Sequence, residues 1–473
     1  MLYKLVLSAM ILPLAACVST LTPSPLLPDI SMPLAWSGTV LPDGTIEAKN
    51  RVDLALWWQG FNDPLLDNLI KLALQNNSNV SMAKAALLQS RALRDVAAAG
   101  LFPRLDVSAS AQRSKIGTPG PGNSFHAGFD ASWEPDIFGA NRSALQASEA
   151  SLDASVASLA DIQISIAAEV ALTYIQLRGE QTRLIIAQNN LTSQSETLQI
   201  TNWRVQAGLL TSLEAEQARA ASEQTKAQIP TLRTSIEQIS HSLAVLCGQH
   251  PVALRTQLSE IQAIPQANEA LTMSIPAETL RQRPDVRTAE HQVAAAWARV
   301  KQGDAALYPN FQISGSVGWR ALTIGALSNS ASLVAAILAN VSLPVFDAGA
   351  GRAQVRAQQA AFEQLRMSYQ STALTALKEV EDAIVALNGD RERLLSLRNA
   401  AEAAANAALL ARQRYTSGLV DFQTVLETQR SILSTQDAVA SSMTDLSADH
   451  VRLYKALGGG WQPDAVSMID FRK

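Results

Sequence analysis

The sequence predicts a mainly helical chain built twice over, each copy carrying a pair of membrane-type β-strands. Three observations predict this. Apolar residues return every seven positions at Val170, Leu177, Leu184, Leu191, Leu198 and Val205, after a phase-shifted run of Leu145, Leu152, Leu159 and Ile166. A period of 3.5 held that long reads as one helix, Arg142 to Val205, packed along a coiled-coil seam. Its roughly 64 residues would span on the order of 100 Å, too long for an ordinary globular domain. The same stretch returns 210 residues later. Between the helices the apolar period drops from 3.6 to 2, the signature of strands with two unlike faces.

Composition sets the limits. The chain has 473 residues, 47% of them hydrophobic, and a formal net charge of -4. Length alone suggests two or three domains. The near-balanced charge leaves no basic footprint, so nucleic acid is excluded as a partner. Aromatics are only 5%, as in closely packed Ala-rich helices. No unbroken apolar run reaches the roughly 18 residues of a spanning helix. The nearest, Ala331 to Phe346, contains Asn340 and Pro344.

Residues 1–16 read as a lipoprotein signal peptide. Lys4 is basic, Leu5 to Leu14 are apolar, and Leu14-Ala15-Ala16-Cys17 resembles the bacterial lipobox, in which the thiol of Cys17 carries a lipid. The competing reading is an ordinary signal peptide. Val18 follows the cysteine, which in lipoprotein sorting permits transfer to the outer membrane. Residues 17–50, rich in Pro, Leu and Ser, read as a tether from the lipid. With Cys17 lipidated, Cys247 is alone and reads as a small buried hydrophobe. His126, His241, His250, His291 and His450 lie far apart and show no metal-ligand spacing.

The first repeat takes residues 51–250. Trp57 and Trp58 read as core. Asp63 caps a helix opening with Pro64, whose apolar face is Leu65, Leu69, Leu72 and Ala73. A second helix runs from Asn77 to Ala99. After Leu101-Phe102-Pro103, the residues Leu105, Val107, Ala109 and Ala111 alternate with Asp106, Ser108, Ser110 and Gln112. Beyond a Gly/Pro-rich turn, Ala127, Phe129, Ala131 and Trp133 alternate with Gly128, Asp130, Ser132 and Glu134. These strands, within about 104–136, suit lipid on one face and water on the other; a half-buried soluble hairpin gives the same alternation. The long helix ends near Gly208, placed at the left-handed position after it. Thr211 or Ser212 caps a helix running to about Leu246 and pairing antiparallel with the long one.

Residues 251–268 form a linker, and the plan repeats over 269–457. A short helix is expected from Glu269 to Gln282, another from Arg283-Pro284, and strands within about 311–344. Phe311, Ile313, Val317 and Trp319 face one way in the third strand, and Leu333, Ala335, Ile337, Ala339, Val341 and Leu343 in the fourth. The second long helix runs from Arg352 to Tyr415, with Val380, Leu387 and Leu394 in its seam. Gly418 marks its turn, and a last helix runs from about Asp421 to Leu457 before the 458–473 tail. The offset between halves is 206 at Asn77/Arg283 and Pro103/Pro309, and 210 at Arg142/Arg352, Gly179/Gly389, Arg204/Arg414 and Gly208/Gly418. The four-residue difference falls in the hairpin, where length is tolerated.

Four strands leave unpaired edges in lipid, and single-chain barrels start at about eight strands. Strands that span a membrane must therefore come from several chains sharing one barrel, with the long helices hanging from it as a tube.

The chain also resembles a known family, the outer membrane efflux channels (TolC-like), in their lipoprotein branch. The resemblance rests on Trp57-Trp58-Gln59-Gly60-Phe61-Asn62-Asp63-Pro64-Leu65-Leu66, Arg283-Pro284-Asp285-Val286-Arg287-Thr288-Ala289-Glu290 and Leu343-Pro344-Val345-Phe346-Asp347-Ala348-Gly349. Arg414-Tyr415-Thr416-Ser417-Gly418 and Ala456-Leu457-Gly458-Gly459-Gly460-Trp461 add to it. It implies a homotrimer sharing a twelve-stranded β-barrel and a long periplasmic α-helical barrel. It implies docking to a periplasmic adaptor and an inner-membrane efflux transporter, a place in outer membrane lipid, and no cofactor beyond the lipid on Cys17.

By the same resemblance the helix turns are the periplasmic tips. Gly208, Gly418, Arg204 and Arg414 belong to the adaptor-docking tips. Glu214 and Glu427 match acidic positions at the narrowed pore, and Tyr415 an aromatic of the same region. Three like carboxylates in a ring would select cations and resist closure. The competing reading makes both acids solvated helix residues and Tyr415 plain packing. The family's closing network also uses a base and an acid where this chain has Val420 and Thr424. Trp133, Trp319 and Tyr308 suit the aromatic belts of a barrel, or burial between subunits.

The expected function is a passive exit duct of a tripartite efflux pump. The alternative is a periplasmic adaptor lipoprotein, which predicts one α-hairpin between compact β-domains and not two duplicated halves. An envelope enzyme lacks any clustered acid, histidine or nucleophile signature.

Overall fold

The computed structural model describes residue 27 and residues 54–115, 121–267 and 282–460. Cys17, the signal segment, nearly all of the tether, residues 269–281 of the expected short helix and Trp461 lie outside the described residues.

A 3-10 segment, Leu54–Phe61, leads to α1 (Pro64–Asn76). Asp63 caps α1 as expected, accepting from the backbone of Leu65 at 2.9 Å and Leu66 at 3.1 Å. The buried face of α1 is Leu66, Leu69, Ile70 and Ala73, so Leu65 and Leu72 are corrected to its half-buried flanks. Residues 66, 69, 70 and 73 keep the i, i+3, i+4, i+7 spacing of one helix face, and Leu65 and Leu72 each lie one residue, about 100°, off that stripe. Helix α2 (Ser78–Ala99) follows, then strands β1 (Arg104–Ser114) and β2 (Gly122–Trp133). Next come α3 (Ala140–Gln206) and α4 (Ser212–Leu246), and a four-residue α5 (Arg255–Leu258) lies in the linker. The second half supplies α6 (Pro284–Ala305), β3 (Asn310–Ala321), β4 (Leu333–Ser342), α7 (Ala350–Thr416) and α8 (Phe422–Ala456).

The duplication is carried into the lengths of the helices. Helices α3 and α7 have 67 residues each, and α4 and α8 have 35 each. Both long helices start on an aspartate that accepts from the first backbone amides. Asp136 holds Asn141 and Arg142 at 3.1 and 2.8 Å. Asp347 holds Gly349 and Gly351 at 2.9 and 2.7 Å. This is what the Phe346-Asp347-Ala348-Gly349 run does: it turns the chain from strand into helix.

The four strands form one antiparallel sheet in the order β1-β2-β3-β4, so the two repeats join at β2 and β3. The register places Val107, Phe129, Val317 and Ala335 in one row and Leu105, Ala131, Gly315 and Ile337 in the next. One face is therefore apolar from edge to edge, and it is exposed, Ile337 to 87%. The opposite face carries Asp106 beside Asp130 and His126 beside Arg320. Strand β4 departs from alternation, because Val334, Ala336 and Leu338 put apolar residues on that second face as well.

The chain divides into two compact units that cut across the repeats. One is built on Leu87–Ser155 and Thr288–Ser371 and contains the sheet. The other is built on the described parts of Ser31–Ala86, Val156–Arg287 and Thr372–Lys473. In this second unit Trp57 and Trp58 are buried, and Trp57 stacks on Tyr454 at 5.5 Å. Tyr174 donates to Asp63 at 2.7 Å. Arg283 donates to the Ala456 carbonyl at 2.7 Å and pairs with Asp285 and Glu379 at 2.7 and 2.8 Å. That explains the Arg283-Pro284-Asp285 run: it fastens the start of α6 to the end of α8 and to α7. Cys247 is buried as expected, and burial pushes its thiol up to about 11.

The α3 seam differs from the expectation. Leu159, Ile166, Val170 and Leu177 are buried, but Leu184, Leu191, Leu198 and Val205 are only half-buried. The buried line in the last third of α3 is Asn190, Gln194, Thr197 and Thr201. A seven-residue repeat drifts about 20° per heptad against an ideal α-helix. Over the five heptads from Val170 to Val205 that drift moves the buried line onto the neighbouring polar residues. One window of α3 has mean hydropathy 1.4, enough for a bilayer by composition, but half of it is buried core.

Candidate functional site at the two helix turns

The two turns are near-copies. At the end of α3, Gly208 has φ +72° and donates to Val205 O at 2.9 Å, and Leu209 donates to Arg204 O at 2.8 Å. At the end of α7, Gly418 has φ +73° and donates to Tyr415 O at 3.0 Å, and Leu419 donates to Arg414 O at 2.9 Å. This is the paired bonding by which a left-handed glycine closes a helix C-terminus. The glycines are required by that φ. The leucines after them point outward, 72% exposed at Leu209 and 75% at Leu419.

The returning helices are capped differently. Thr211 caps α4 in a reciprocal box with Glu214, whose carboxylate accepts from the Thr211 backbone at 3.1 Å and from its hydroxyl. The Thr211 hydroxyl bond, aided by backbone amides, holds Glu214 below its usual range. Asp421 caps α8, accepting from the Thr424 hydroxyl at 2.6 Å and its backbone at 2.9 Å, bonds that likewise lower its pKa. Glu427 is exposed and accepts from Gln423 at 3.1 Å. Glu214 is thus engaged in its cap, and Glu427 stands just over one turn into α8.

Tyr415 is buried, 5% exposed, in a cluster with Phe422, Val425, Leu426, Ala218 and Ala221. Val420 packs against that cluster. The structure brings Arg204 and Tyr415 together. The Arg204 guanidinium lies 4.5 Å from the Tyr415 ring centre and donates to the carbonyls of Tyr415 at 3.2 Å and Thr416 at 3.1 Å. A cation there meets the partial negative charge of the α7 C-terminus and an aromatic face at once. Arg414, in the same place on α7, is exposed. Arg412 pairs with Glu196 at 2.8 Å.

Above the turns a polar ladder joins α3 to α8. Gln429 donates to Thr197 at 2.9 Å, Asn190 to Gln436 at 3.0 Å, and Arg183 pairs with Asp437 at 2.7 Å. Next to it, Gly179 lets the Thr444 side chain of α8 approach the α3 backbone. These partners were missed in the sequence, where α3 was paired with α4. The signal was present: Asn190, Gln194, Thr197 and Thr201 keep seam spacing beside the leucines.

Comparison with known proteins agrees with this geometry. The family model described as outer membrane efflux protein matches residues 69–249 and 275–459. The chain is 32% identical to a pyoverdine export outer membrane protein of Pseudomonas aeruginosa over 473 residues, covering 95% of each chain. It is 30% identical to nodulation protein T of Rhizobium leguminosarum bv. viciae, covering 98% of this chain and 95% of that one. The solved outer-membrane channel OprN superposes with a TM-score of 0.86 at 34% identity, over 93% of this chain and all of that one.

Proposed function

This chain belongs to the outer membrane efflux protein family, and from that premise we propose that three copies form the outer membrane duct of an efflux pump. It is not an enzyme: it conducts small molecules passively to the exterior. As a pump component it works with a periplasmic adaptor and an inner-membrane transporter.

The observation that carries the trimer is the sheet. Its outward face is apolar and exposed, and β1 and β4 have no further partner strand among the described residues. An open edge is not tolerated in hydrocarbon. Closing β4 of one copy on β1 of the next removes both edges, and three copies make twelve strands. The polar face, with Asp106, Asp130, His126 and Arg320, then faces the water-filled interior. The lipid on Cys17 is a surface attachment beside the barrel.

At the two helix turns, Gly208, Leu209, Gly418 and Leu419 form the surface offered to the adaptor, flanked by Arg204 and Arg414. Glu427 is the carboxylate that narrows the pore, because it is exposed and held by one neutral neighbour. Glu214 guards the same end while closing its cap, and Tyr415 supports the constriction from behind. Electron microscopy of the detergent-purified mature protein tests the reading. A threefold particle is expected, with cation selectivity falling in the Glu427→Ala channel. A compact monomer would remove the duct.

A further inference from the structure

A cavity of about 520 Å³ lies where the sheet begins, within the size range of small-molecule sites. Arg104, Ser132, Glu134 and Gln312 line it, and the small Ala99 and Gly100 leave it room. By the alternation of the strands, Arg104, Ser132 and Gln312 belong to the polar face, with Asp106 and Asp130. Phe102 lines the cavity too and is 68% exposed.

The ring is held in place by its own segment. Leu101 and Phe102 donate to the carbonyls of Ala98 and Ala99 at 3.1 Å each, and the Trp133 indole donates to Leu101 O at 3.1 Å. Pro103 stiffens the next position. The charges are unequal. Asp106 pairs with Arg104 at 2.9 Å, and Asp130 accepts from Ser108. Glu134 is half-buried and makes no hydrogen bond or ion pair among the described residues, and neither does the Gln312 amide. The cavity therefore offers one uncompensated carboxylate, one free amide and one bare aromatic face.

The duplicated plan requires neither the bare ring nor the acid. Phe102 matches Tyr308, whose ring stacks on Phe138 at 4.9 Å, whereas Phe102 has no ring partner among the described residues. Glu134 falls on Pro344 at the 210-residue offset.

We propose that this cavity is a subsite for an aromatic organic cation in transit. The solute's ring system lies on Phe102, its positive nitrogen meets the Glu134 carboxylate, and the Gln312 carbonyl oxygen accepts from an N–H beside it. A cation held by a carboxylate and an aromatic face gains from both, and a ring fixed in advance is not ordered at the solute's expense. The proposal rests on the duct reading, in which the polar face lines the interior, and deepens it by naming a substrate class.

The test titrates ethidium, a planar aromatic cation, against the full-length protein in nonionic detergent, read by fluorescence anisotropy with empty micelles as the blank. Saturable binding of one dye per chain is expected. Glu134→Gln is expected to weaken it about two- to fivefold, the worth of a partly exposed ion pair. Phe102→Trp, which removes nothing, is expected to tighten it, because indole is the better face for a cation. Absent saturable binding, as when a neighbouring copy covers Phe102, overturns the subsite. So does an affinity that neither variant changes, or one lost in Glu427→Gln instead, which would put the dye at the helix turns. Native mass spectrometry of the same samples separates the two levels. Threefold particles without dye overturn the subsite and leave the duct standing. Monomers overturn the duct, and with it the transit role, whatever the dye does.

Discussion

At Tyr415 the ring and the hydroxyl play different parts. The ring fills the cluster under the turns and carries Arg204, while the buried hydroxyl has no hydrogen-bond partner among the described residues. A buried polar group without a partner costs about 1–3 kcal/mol. Tyr415→Phe is therefore expected to leave the turn as stable as before or more so, and Tyr415→Ala to loosen it by roughly 3 kcal/mol. Amide exchange across 410–430 distinguishes them, and faster exchange in Tyr415→Phe would show that the hydroxyl is needed. Asp449 of α8 supplies a pH dependence. Burial, with Asp390 adding to it against the opposing Arg452 pair, raises its pKa from 3.8 to about 6. The folded state thus holds this proton more tightly than the unfolded state does. The stability tied to it is whole below about pH 4 and is lost as pH rises through about 6. Denaturant midpoints between pH 4 and 7 should fall for this reason, and Asp449→Asn should flatten that part of the slope. A slope equal to the parent's would refute the assignment. Asp63, Trp57, Trp58, Cys247 and both turn glycines were legible in the sequence, because each acts on its immediate neighbours or by burial. Arg204 was legible as a tip residue but not as a clamp on α7, because its acceptors lie 211 and 212 residues away.

At the scale of elements, the instructive pair is Gly179 and Gly389. They match in the repeats, yet an added Cβ would overlap the Thr444 hydroxyl at the first and meet nothing among the described residues at the second. Forcing a methyl into a packed contact costs about 1–3 kcal/mol. Gly179→Ala should therefore lower the unfolding free energy, read from denaturant curves, and Gly179→Ala with Thr444→Ala should recover most of the loss. No recovery would mean that the helix backbone, not Thr444, sets the limit. The long helices and their boundaries were legible because equal repeats and left-handed glycines mark them. The α8 partner of α3 was not, because an amphipathic stripe states that a face is covered and not by what. The α3 seam departs from its leucines for a further reason. Leucines stand at every seventh position, but drift against the true helical period gives the buried line to Asn190, Gln194, Thr197 and Thr201.

For the whole molecule, the sheet decides what the chain does. Each strand was readable alone, but alternation of period 2 suits a soluble hairpin as well as a barrel wall. The register removes that ambiguity within the chain. It runs apolar rows from all four strands across one exposed face, with Val334, Ala336 and Leu338 of β4 the exceptions on the other, and leaves β1 and β4 open at the edges. Adding charge to that face should cost more than adding it to the other. Leu105→Arg is expected to destabilise by about 2–4 kcal/mol if it lies near the bilayer midplane, whereas Asp106→Asn should leave assembly intact. Yield of the heat-modifiable form on gels reads the difference. Equal yields would argue against lipid on the apolar face.

By itself the sequence determined the duplication, the helix lengths, the strand faces and the family. Those follow from periodicity and local capping, which act over a few residues and are written wherever the chain repeats itself. Only the tertiary structure decided that the two repeats join through β2 and β3, that α3 bonds to α8 through a polar ladder, and that Arg204 is engaged while Arg414 stays open. Those facts depend on which surfaces meet. An internal repeat specifies the same surfaces twice, and packing within one chain can satisfy each such pair only once.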